Sequence, residues 1–383
     1  MLEIPGSLIV ERWSANKWIC RIMVTWGILA AATAFVTTPM QFYIVRFFLG
    51  LAEAGFFPGV IVYLTHWFPK KDRARALALF LVASPIAMII GPIVSRAMIN
   101  IGTTQIVDGI EIVYPAILGL HGWQWIYILW GLPAVIIGIL VLFILPDHPK
   151  YANWLTNDEK ESLEDVLRTE KEQQQKKHHM TVGAALRNPK VLLLALAYFG
   201  IVTANYGIEI FLPTIIEKWY DLRIDQIALL VVLPSILVIV GQLSVGWSSD
   251  RFKERRWHAS IPVVIGAIAL ILSPLTQGNL TLTVICFMVA ATGMKSYMPA
   301  FWALPSMFLT SAAAAGSVGL INSVGNLGGF LGPYVLGSIE KATGSFQWGL
   351  YFIAATSIIS AVIIASMKFQ TSEEANLKVD ERP

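Results

Sequence analysis

Long apolar runs separated by short polar segments fill almost the whole chain. A helix needs about 20 predominantly apolar residues to cross a bilayer, and ten runs reach or approach that length. They cover residues 18–38, 41–68, 77–99, 123–145, 191–216, 227–247, 259–276, 280–304, 312–339 and 348–369. The pattern predicts an all-α polytopic membrane protein, because a helix satisfies its own backbone hydrogen bonds in lipid.

One long hydrophilic stretch, residues 147–189, separates four of these runs from the other six. Within it, Thr156 and Glu159 have the spacing of a capping box and predict the start of a surface helix, followed by a polar tract over 170–179. We therefore predict an N-terminal transmembrane bundle over 1–146 and a linker with an amphipathic helix over 147–189. A six-helix C-terminal bundle over 190–370 and a tail over 371–383 follow.

Composition narrows the class of function. Of the 383 residues, 56% are hydrophobic and 14% are charged, against about 25% charged in soluble domains. A net charge of +3 spread over loops predicts no nucleic-acid partner. Cys20 and Cys286 lie in apolar runs, and the six histidines are scattered, so no disulfide framework, metal site or cofactor is expected. Without a phosphate-binding loop, the chain is not expected to be an enzyme or a primary pump.

Basic residues concentrate in the loops on one side of the predicted membrane. Arg12, Lys17 and Arg21 flank one loop on that side. Two further loops there hold Lys70, Lys71, Arg73 and Arg75, and Arg251, Lys253, Arg255 and Arg256. The opposite loops hold only Arg96, Lys218, Arg223 and Lys341. The positive-inside rule then predicts a plasma (inner) membrane protein with the linker and the C-terminus in the cytoplasm.

Two charged residues interrupt the apolar run 41–68. Arg46 and Glu53 are seven residues apart, which on a helix places them on one face, roughly 10 Å apart along the axis. A charge inside the hydrocarbon costs about 2.5–3.5 kcal/mol on insertion scales. Such residues indicate an ion or substrate path, or a structural arginine–glutamate pair that locks neighbouring helices.

A charged loop after the run 227–247 carries a spaced motif. Gly246, Asp250, Arg251 and Arg255 follow the spacing G-x-x-x-D-R-x-x-x-R. Gly246 allows two helix ends to approach, Asp250 suits a helix N-terminus, and the arginines suit carbonyl or carboxylate oxygens. We predict a latch that holds one conformation; the alternative is an ordinary basic loop. The spacing resembles the loop signature of the major facilitator superfamily.

Longer blocks extend this resemblance. RFFLGLAEAGFFPG (46–59), IEIFLPTII (208–216), PAFWALPSMFL (299–309) and GLINSVGNLGGFLGPYVLG (319–337) resemble the anion:cation symporter family of that superfamily. The resemblance implies a major facilitator fold of twelve helices in two six-helix bundles, with a central cavity and alternating access. Because residues 2–13 resemble the second half of the family's second helix, we expect an incomplete N-terminal bundle that lacks the first helix and part of the second.

The resemblance also implies roles for the charged pair. Arg46 matches the arginine that meets the substrate carboxylate, and a guanidinium fits a carboxylate bidentately. Glu53 matches the mid-membrane glutamate that takes up and releases the coupling proton. A carboxyl group in hydrocarbon favours its neutral form, which suits that role.

Polar residues in the C-terminal runs supply further candidates. Asn322 and Asn326 share a helix face, so they suit the oxygens of a polyol acid or serve as interhelical hydrogen-bonding groups. Glu209 and Lys295 are expected to line the cavity or to pair with each other. Tyr206 is predicted to contact the substrate, and Asn205 to line the cavity.

The predicted function is a secondary transporter, a monomer in the lipid bilayer, that imports a small organic anion by proton symport. Sugar acids, tartrate-like dicarboxylates, aromatic carboxylates and vitamins are the substrate classes implied. A proton-coupled drug or metabolite exporter is the alternative, since Gly91-Pro92 resembles an exporter motif. A non-transporting membrane protein is the third possibility, because of the expected truncation.

Overall fold

The computed structural model describes residues 3–107, 110–177, 181–222, 224–309 and 311–368, and these are mostly helical. The helices up to residue 146 are α1 (Glu3–Arg12), α2 (Ala15–Ala32), α3 (Pro39–Glu53), α4 (Phe56–Thr65), α5 (Arg73–Leu81), α6 (Ala83–Ile99) and α7 (Gly122–Ile144). The later ones are α8 (Asn157–Lys177), α9 (Val182–Leu186), α10 (Pro189–Tyr220), α11 (Ile224–Arg251), α12 (Arg256–Leu272), α13 (Leu280–Ser296), α14 (Met298–Ala303), α15 (Pro305–Phe308), α16 (Ser311–Thr343) and α17 (Gln347–Ser366). Short 3-10 helices lie at Thr33–Phe35, Pro149–Tyr151 and Ser273–Thr276.

The predicted membrane spans correspond to these helices. In the described residues, nine helical segments are long and apolar enough to cross a bilayer, and each matches one predicted run. The tenth run, 312–339, lies in α16, a helix of 33 residues. Glycines, together with Asn322 and Asn326, interrupt its apolar sequence. The all-α membrane class is confirmed.

A short hairpin lies in the loop between α6 and α7. Strand β1 (Thr104–Val107) pairs antiparallel with β2 (Ile110–Val113), in a register that joins Thr104 to Val113. Threonine, isoleucine and valine favour extended backbone. The hairpin lies between the predicted membrane spans 77–99 and 123–145.

The linker helix begins as predicted and ends later. Thr156 accepts a hydrogen bond from the Glu159 amide (3.4 Å), and the Glu159 carboxylate accepts one from the Thr156 amide (2.9 Å), which confirms the capping box. The Thr156 amide lowers the pKa of Glu159. We expected the helix to end before the polar tract that begins at residue 170, and this was wrong. Helix α8 continues to Lys177, because the residues of the tract favour helix. His178, His179 and the tail 371–383 lie outside the described residues.

Contacts divide the chain into two compact units. The first unit contains residues 1–67 and 87–164, and the second contains 68–86 and 165–383. In the first, α2 packs on α7 where Gly27 meets Gly131: a Cβ on Gly27 would lie 2.6 Å from the Gly131 carbonyl oxygen. In the second, α10 packs on α16 and α17, and α11 and α12 pack on α13. The predicted domain boundaries remain predictions.

Candidate functional site

Arg46 lies in α3, whose start is fixed by Thr38 and Gln41 through a capping box, with Pro39 in the first turn. The Arg46 guanidinium donates to the Tyr127 hydroxyl (2.8 Å) and lies over the rings of Phe42 (4.9 Å) and Tyr127 (5.6 Å). Such contacts position a cation without neutralising it. Among the described residues, Arg46 has no carboxylate partner.

Glu53 is the last residue of α3, at a break in the predicted run 41–68. The single continuous helix expected there was wrong, because Gly55 adopts a left-handed conformation (φ +87°) and α4 begins after it. Gly55 also packs so closely on Gly6 of α1 that a Cβ would lie 3.0 Å from the Gly6 Cα. Glycine is the residue that meets both conditions.

The break changes the surroundings expected for Glu53. The Glu53 side chain keeps solvent-exposed surface at the end of α3. No ion pair joins it to Arg46 in the described part of the chain, so the interpretation of these two residues as a structural pair was wrong. The first unit therefore holds an arginine and a glutamate in one span, and both side chains are exposed.

Helices α10 and α16 approach closely through the glycines of the 319–337 block. A Cβ on Gly332 would overlap the Thr203 carbonyl oxygen, and one on Gly325 would overlap the Tyr198 ring. Glycine at such positions lets two backbones come together. The tight contact fixes the side chains on either helix.

The candidate side chains on these two helices fall into different environments. Asn322 is buried, with 4% of its surface exposed, whereas Asn326 one turn later is exposed. Tyr206 is 42% exposed, and its ring lies 3.2 Å from the position of a Cβ on Gly329. The structure therefore brings the Tyr206 ring to Gly329 of α16, three residues after the exposed Asn326, while Asn322 is buried.

Glu209 of α10 and Lys295 of α13 form an ion pair. The Lys295 Nζ lies 3.1 Å from Glu209 Oε2, and the side chains are 16% and 27% exposed. Asn205 donates weakly to the same oxygen, at 3.4 Å. Sequence reasoning missed Gln242, a buried residue of α11 whose amide donates to the Lys295 carbonyl oxygen (3.3 Å). A polar residue inside an apolar run was the available signal.

The C-terminal end of α11 and the charged loop after it dock on the start of α5, within the second unit. Asp250 Oδ2 accepts from the Arg75 backbone amide (2.6 Å), and Asp250 also pairs with Arg255. Arg255 further donates to the Ser249 hydroxyl (2.9 Å) and the Lys70 carbonyl oxygen (3.1 Å). A carboxylate at a helix N-terminus is favourable because it meets free N–H groups.

Two motif residues differ in their part in this docking. Gly246 faces α5 so closely that a Cβ would lie 2.6 Å from the Ala78 Cβ. Arg251, which we expected in the latch, lies instead over the Trp247 ring, 5.2 Å from its centroid. Being the last residue of α11, it projects from a different face from Asp250. The cluster therefore consists of Gly246, Asp250 and Arg255.

A histidine cluster in the first unit has no signal in the sequence. His66 Nε2 lies 2.9 Å from the Glu11 carboxylate, and its ring stacks on His148 with centroids 4.9 Å apart. Burial, His66 and Lys150 lower the pKa of His148. In the described residues, no group of three or more histidine, cysteine, aspartate or glutamate side chains could hold a metal ion.

Comparison with known proteins identifies the family to which the chain is similar. A family model described as Major Facilitator Superfamily matches residues 1–333. A protein of Agrobacterium vitis named "Putative tartrate transporter" is 38% identical over 367 residues, which cover 95% of this chain and 77% of that protein. A "Quinolone resistance transporter" of Acinetobacter baumannii is 36% identical over 383 residues, 99% of this chain and 85% of the relative.

A solved structure shares the fold. The proton:xylose symporter XylE matches with a TM-score of 0.74 over 98% of this chain and 86% of that chain, at 14% identity. At this identity the likeness concerns the fold alone. The matched proteins are named as transporters, in agreement with the polytopic helical architecture.

Proposed function

Because this chain belongs to the major facilitator superfamily of transporters, we propose that it imports a small organic anion together with protons. The observation that carries the proposal is Arg46, a guanidinium inside a membrane span that has no carboxylate partner among the described residues. An uncompensated charge there costs about 2.5–3.5 kcal/mol or more. An anionic substrate would offset that cost.

The chemistry of the group favours a carboxylate as the ligand. A guanidinium has five N–H donors in a planar fork that matches the two oxygens of a carboxylate. Tyr127 accepts from Nη2 and, with Phe42, orients the guanidinium from the side. The remaining donors are those that a bidentate carboxylate would use. An uncharged sugar would leave the charge without a counter-ion.

For the second unit by itself, we propose Asn326 and Tyr206 as groups that form hydrogen bonds with hydroxyl groups of a substrate. Asn326 and Tyr206 are exposed on neighbouring helices, and their amide and phenol groups donate and accept hydrogen bonds. Asn322 is buried, so we assign it to holding α16 in place or to closing behind the substrate. The relative named for tartrate supports a hydroxylated aliphatic acid.

Glu53 is the proposed proton carrier. It lies in the same span as Arg46, at the helix break, and keeps solvent-exposed surface there. A carboxyl group at membrane depth exchanges a proton as its surroundings change between wet and dry. Protonation from the acidic side and release to the cytoplasm would couple anion entry to the proton gradient.

We place the protein in the inner membrane, with the basic loops in the cytoplasm. The cluster of Gly246, Asp250 and Arg255 would then hold the cytoplasmic start of α5 in one conformation of the transport cycle. The contacts of Asp250 and Arg255 with the start of α5 support this assignment. Release of these contacts is the conformational step that we assign to the latch.

The test is uptake into proteoliposomes that contain the purified protein. With an acidic exterior and a neutral interior, we expect accumulation of tartrate or of another acid from a panel with gluconate and nicotinate. A protonophore should abolish the accumulation, and xylose should not enter. Failure to accumulate any acid, with the protein folded and inserted, would contradict the proposal.

Export is the second candidate function, and one observation favours it: a relative matched over 99% of this chain is named a quinolone resistance transporter. The two functions differ in the direction of the proton. In everted vesicles with an acidic interior, an exporter would concentrate the drug inside and release protons outward. A symporter would carry protons and anion in the same direction, so the sign of the pH change on adding substrate distinguishes them.

A further inference from the structure

Glu209 lies within α10, and Lys295 lies in the last turn of α13, near the middle of the candidate membrane span Leu280–Phe308. The ion pair of these two side chains joins α10 to α13 at a distance of 3.1 Å. Other charged residues face α10 farther along the helix. Glu340 and Lys341 of α16 lie near Lys218, at the C-terminal end of α10. Lys218 is nine residues beyond Glu209, roughly 13 Å along the helix. Lys295 and Glu209 are therefore each other's charged partner.

The ion pair is partly exposed to solvent, and its oxygen and nitrogen atoms have few further hydrogen-bond partners among the described residues. The side chains of Lys295 and Glu209 are 16% and 27% exposed, so an outside group can reach both. Among the described residues, the Glu209 oxygen receives, apart from Lys295, only the long contact from Asn205, at 3.4 Å. The free-energy cost of desolvating an ion pair is offset only when further hydrogen bonds are made to both partners. We therefore expect that another anion can displace Glu209 from Lys295.

A substrate carboxylate has the same chemistry as the Glu209 side chain. We propose that Lys295 is a second carboxylate-binding group of the carrier and that Glu209 is its exchangeable counter-ion, which the substrate displaces. Asn205, which already contacts the Glu209 oxygen, would donate to the incoming carboxylate. The Lys295 backbone is fixed by the buried Gln242, so the ammonium rather than the helix moves.

This inference rests on the proposed transport of an organic anion and makes opposite predictions for the two partners. Lys295→Met removes the binding cation while it keeps the length of the side chain, so the Kd should rise about tenfold or more, the value of one charge-assisted hydrogen bond. Glu209→Gln removes the internal competitor, so the Kd should fall. A pair with a purely structural role predicts weaker binding in both variants.

The experiment measures binding of tartrate, gluconate and nicotinate to the full chain in detergent, with Glu340→Gln as the matched control. Glu340 also pairs with a lysine in the second unit, but at the helix ends. We expect the Kd of the Glu340→Gln variant to differ from that of the wild type by less than about twofold, since exposed ion pairs contribute little free energy. Lys295→Arg should keep binding, and the double variant Lys295→Met/Glu209→Gln should bind as weakly as Lys295→Met, which excludes misfolding caused by an unpaired charge.

Two results would overturn the inference. One is weaker binding in both single variants, and the other is unchanged affinity in both. If the wild type binds no acid of the panel, the proposed function fails together with the inference. If the wild type binds but the signs are not opposite, the inference alone fails.

Discussion

Replacing Asp250 by asparagine tests the proposed latch, because the two side chains have nearly the same shape and differ in charge. The side chains of Asp250 and Arg255 are 9% and 8% exposed. Asparagine can still accept from the Arg75 amide. Arg255 keeps the Ser249 hydroxyl and the Lys70 carbonyl oxygen but loses its only carboxylate among the described residues.

The magnitude follows from these contacts. Removing one partner of a buried ion pair costs about 3–5 kcal/mol, because the other charge stays buried. Two neutral acceptors remain for Arg255, so we expect the lower end of that range, about 3 kcal/mol in the free energy of unfolding. The loss of a negative charge at the α5 N-terminus accounts for about 0.3–1 kcal/mol of this.

A double-mutant cycle isolates the pair from other effects. We would measure the free energy of unfolding in mixed micelles for Asp250→Asn, for Arg255→Gln and for the double variant. The coupling energy should be about 2 kcal/mol or more. The control is the Lys218–Glu340 pair, whose side chains are 50% and 22% exposed, and whose coupling should stay below about 1 kcal/mol.

The functional effect should appear in the rate rather than in the affinity. Asp250→Asn should slow turnover and leave the Kd for the anion nearly unchanged, since Asp250 contacts no proposed substrate group. A coupling energy below about 0.5 kcal/mol would reduce the cluster to an ordinary surface pair. A large loss of affinity would also refute the reasoning, because a latch acts on conformation.

Three further predictions concern packing, pH and proton coupling. Gly332→Ala should destabilise the protein by about 1–3 kcal/mol in mixed-micelle unfolding, since its Cβ would overlap the Thr203 carbonyl oxygen. The control Gly329→Ala should reduce the free energy of unfolding clearly less, because its Cβ would face the Tyr206 ring at 3.2 Å. Equal losses in the two variants would contradict the packing of α10 on α16. The lowered pKa of His148 makes its neutral form the stable one, so this stability is present above its ordinary value of 6.5 and is lost as the pH falls below it. His148→Phe keeps the ring stack and should reduce the drop in unfolding temperature between about pH 7.5 and 5.5; an unchanged drop would exclude His148 as the cause. Glu53→Gln should keep anion exchange and lose pH-driven accumulation in proteoliposomes, whereas normal accumulation would remove Glu53 from the proton path.

The sequence predicted the fold well because lipid imposes a simple pattern. Nine of the predicted runs are apolar helices, since only long apolar helices satisfy the backbone in a bilayer. The helix break at Gly55 could not be predicted. Its left-handed conformation depends on the approach of Gly6 from another helix, and a glycine in an apolar run is compatible with an unbroken helix.

The candidate site was predictable in part, for a similar reason. Arg46 and Lys295 stand out because charged residues are rare in apolar runs. Their partners, Tyr127 and Glu209, are 81 and 86 residues away, so only the folded chain brings them together. The sequence left open whether Glu209 and Lys295 pair, and the structure settles that they do.

Other contacts gave no usable signal in the sequence. The stack of His66 and His148 involves residues that lie in separate loops of ordinary composition. The exclusion of Arg251 from the Asp250 cluster depends on where α11 ends. Motif spacing assigns residues to a loop, but the direction of each side chain is set by the helix geometry at that point.

The central claim is that Arg46 binds the carboxylate of a transported organic anion. The most direct test is the uptake of a radiolabelled acid by proteoliposomes that contain Arg46→Ala, compared with the wild type and with Arg21→Ala. Arg21 is a suitable control, because it also lies over an aromatic ring, 4.0 Å from Trp18, but is near the start of α2, beside a basic loop. The account predicts that Arg46→Ala abolishes binding and uptake while Arg21→Ala retains both. Wild-type affinity in Arg46→Ala would contradict it.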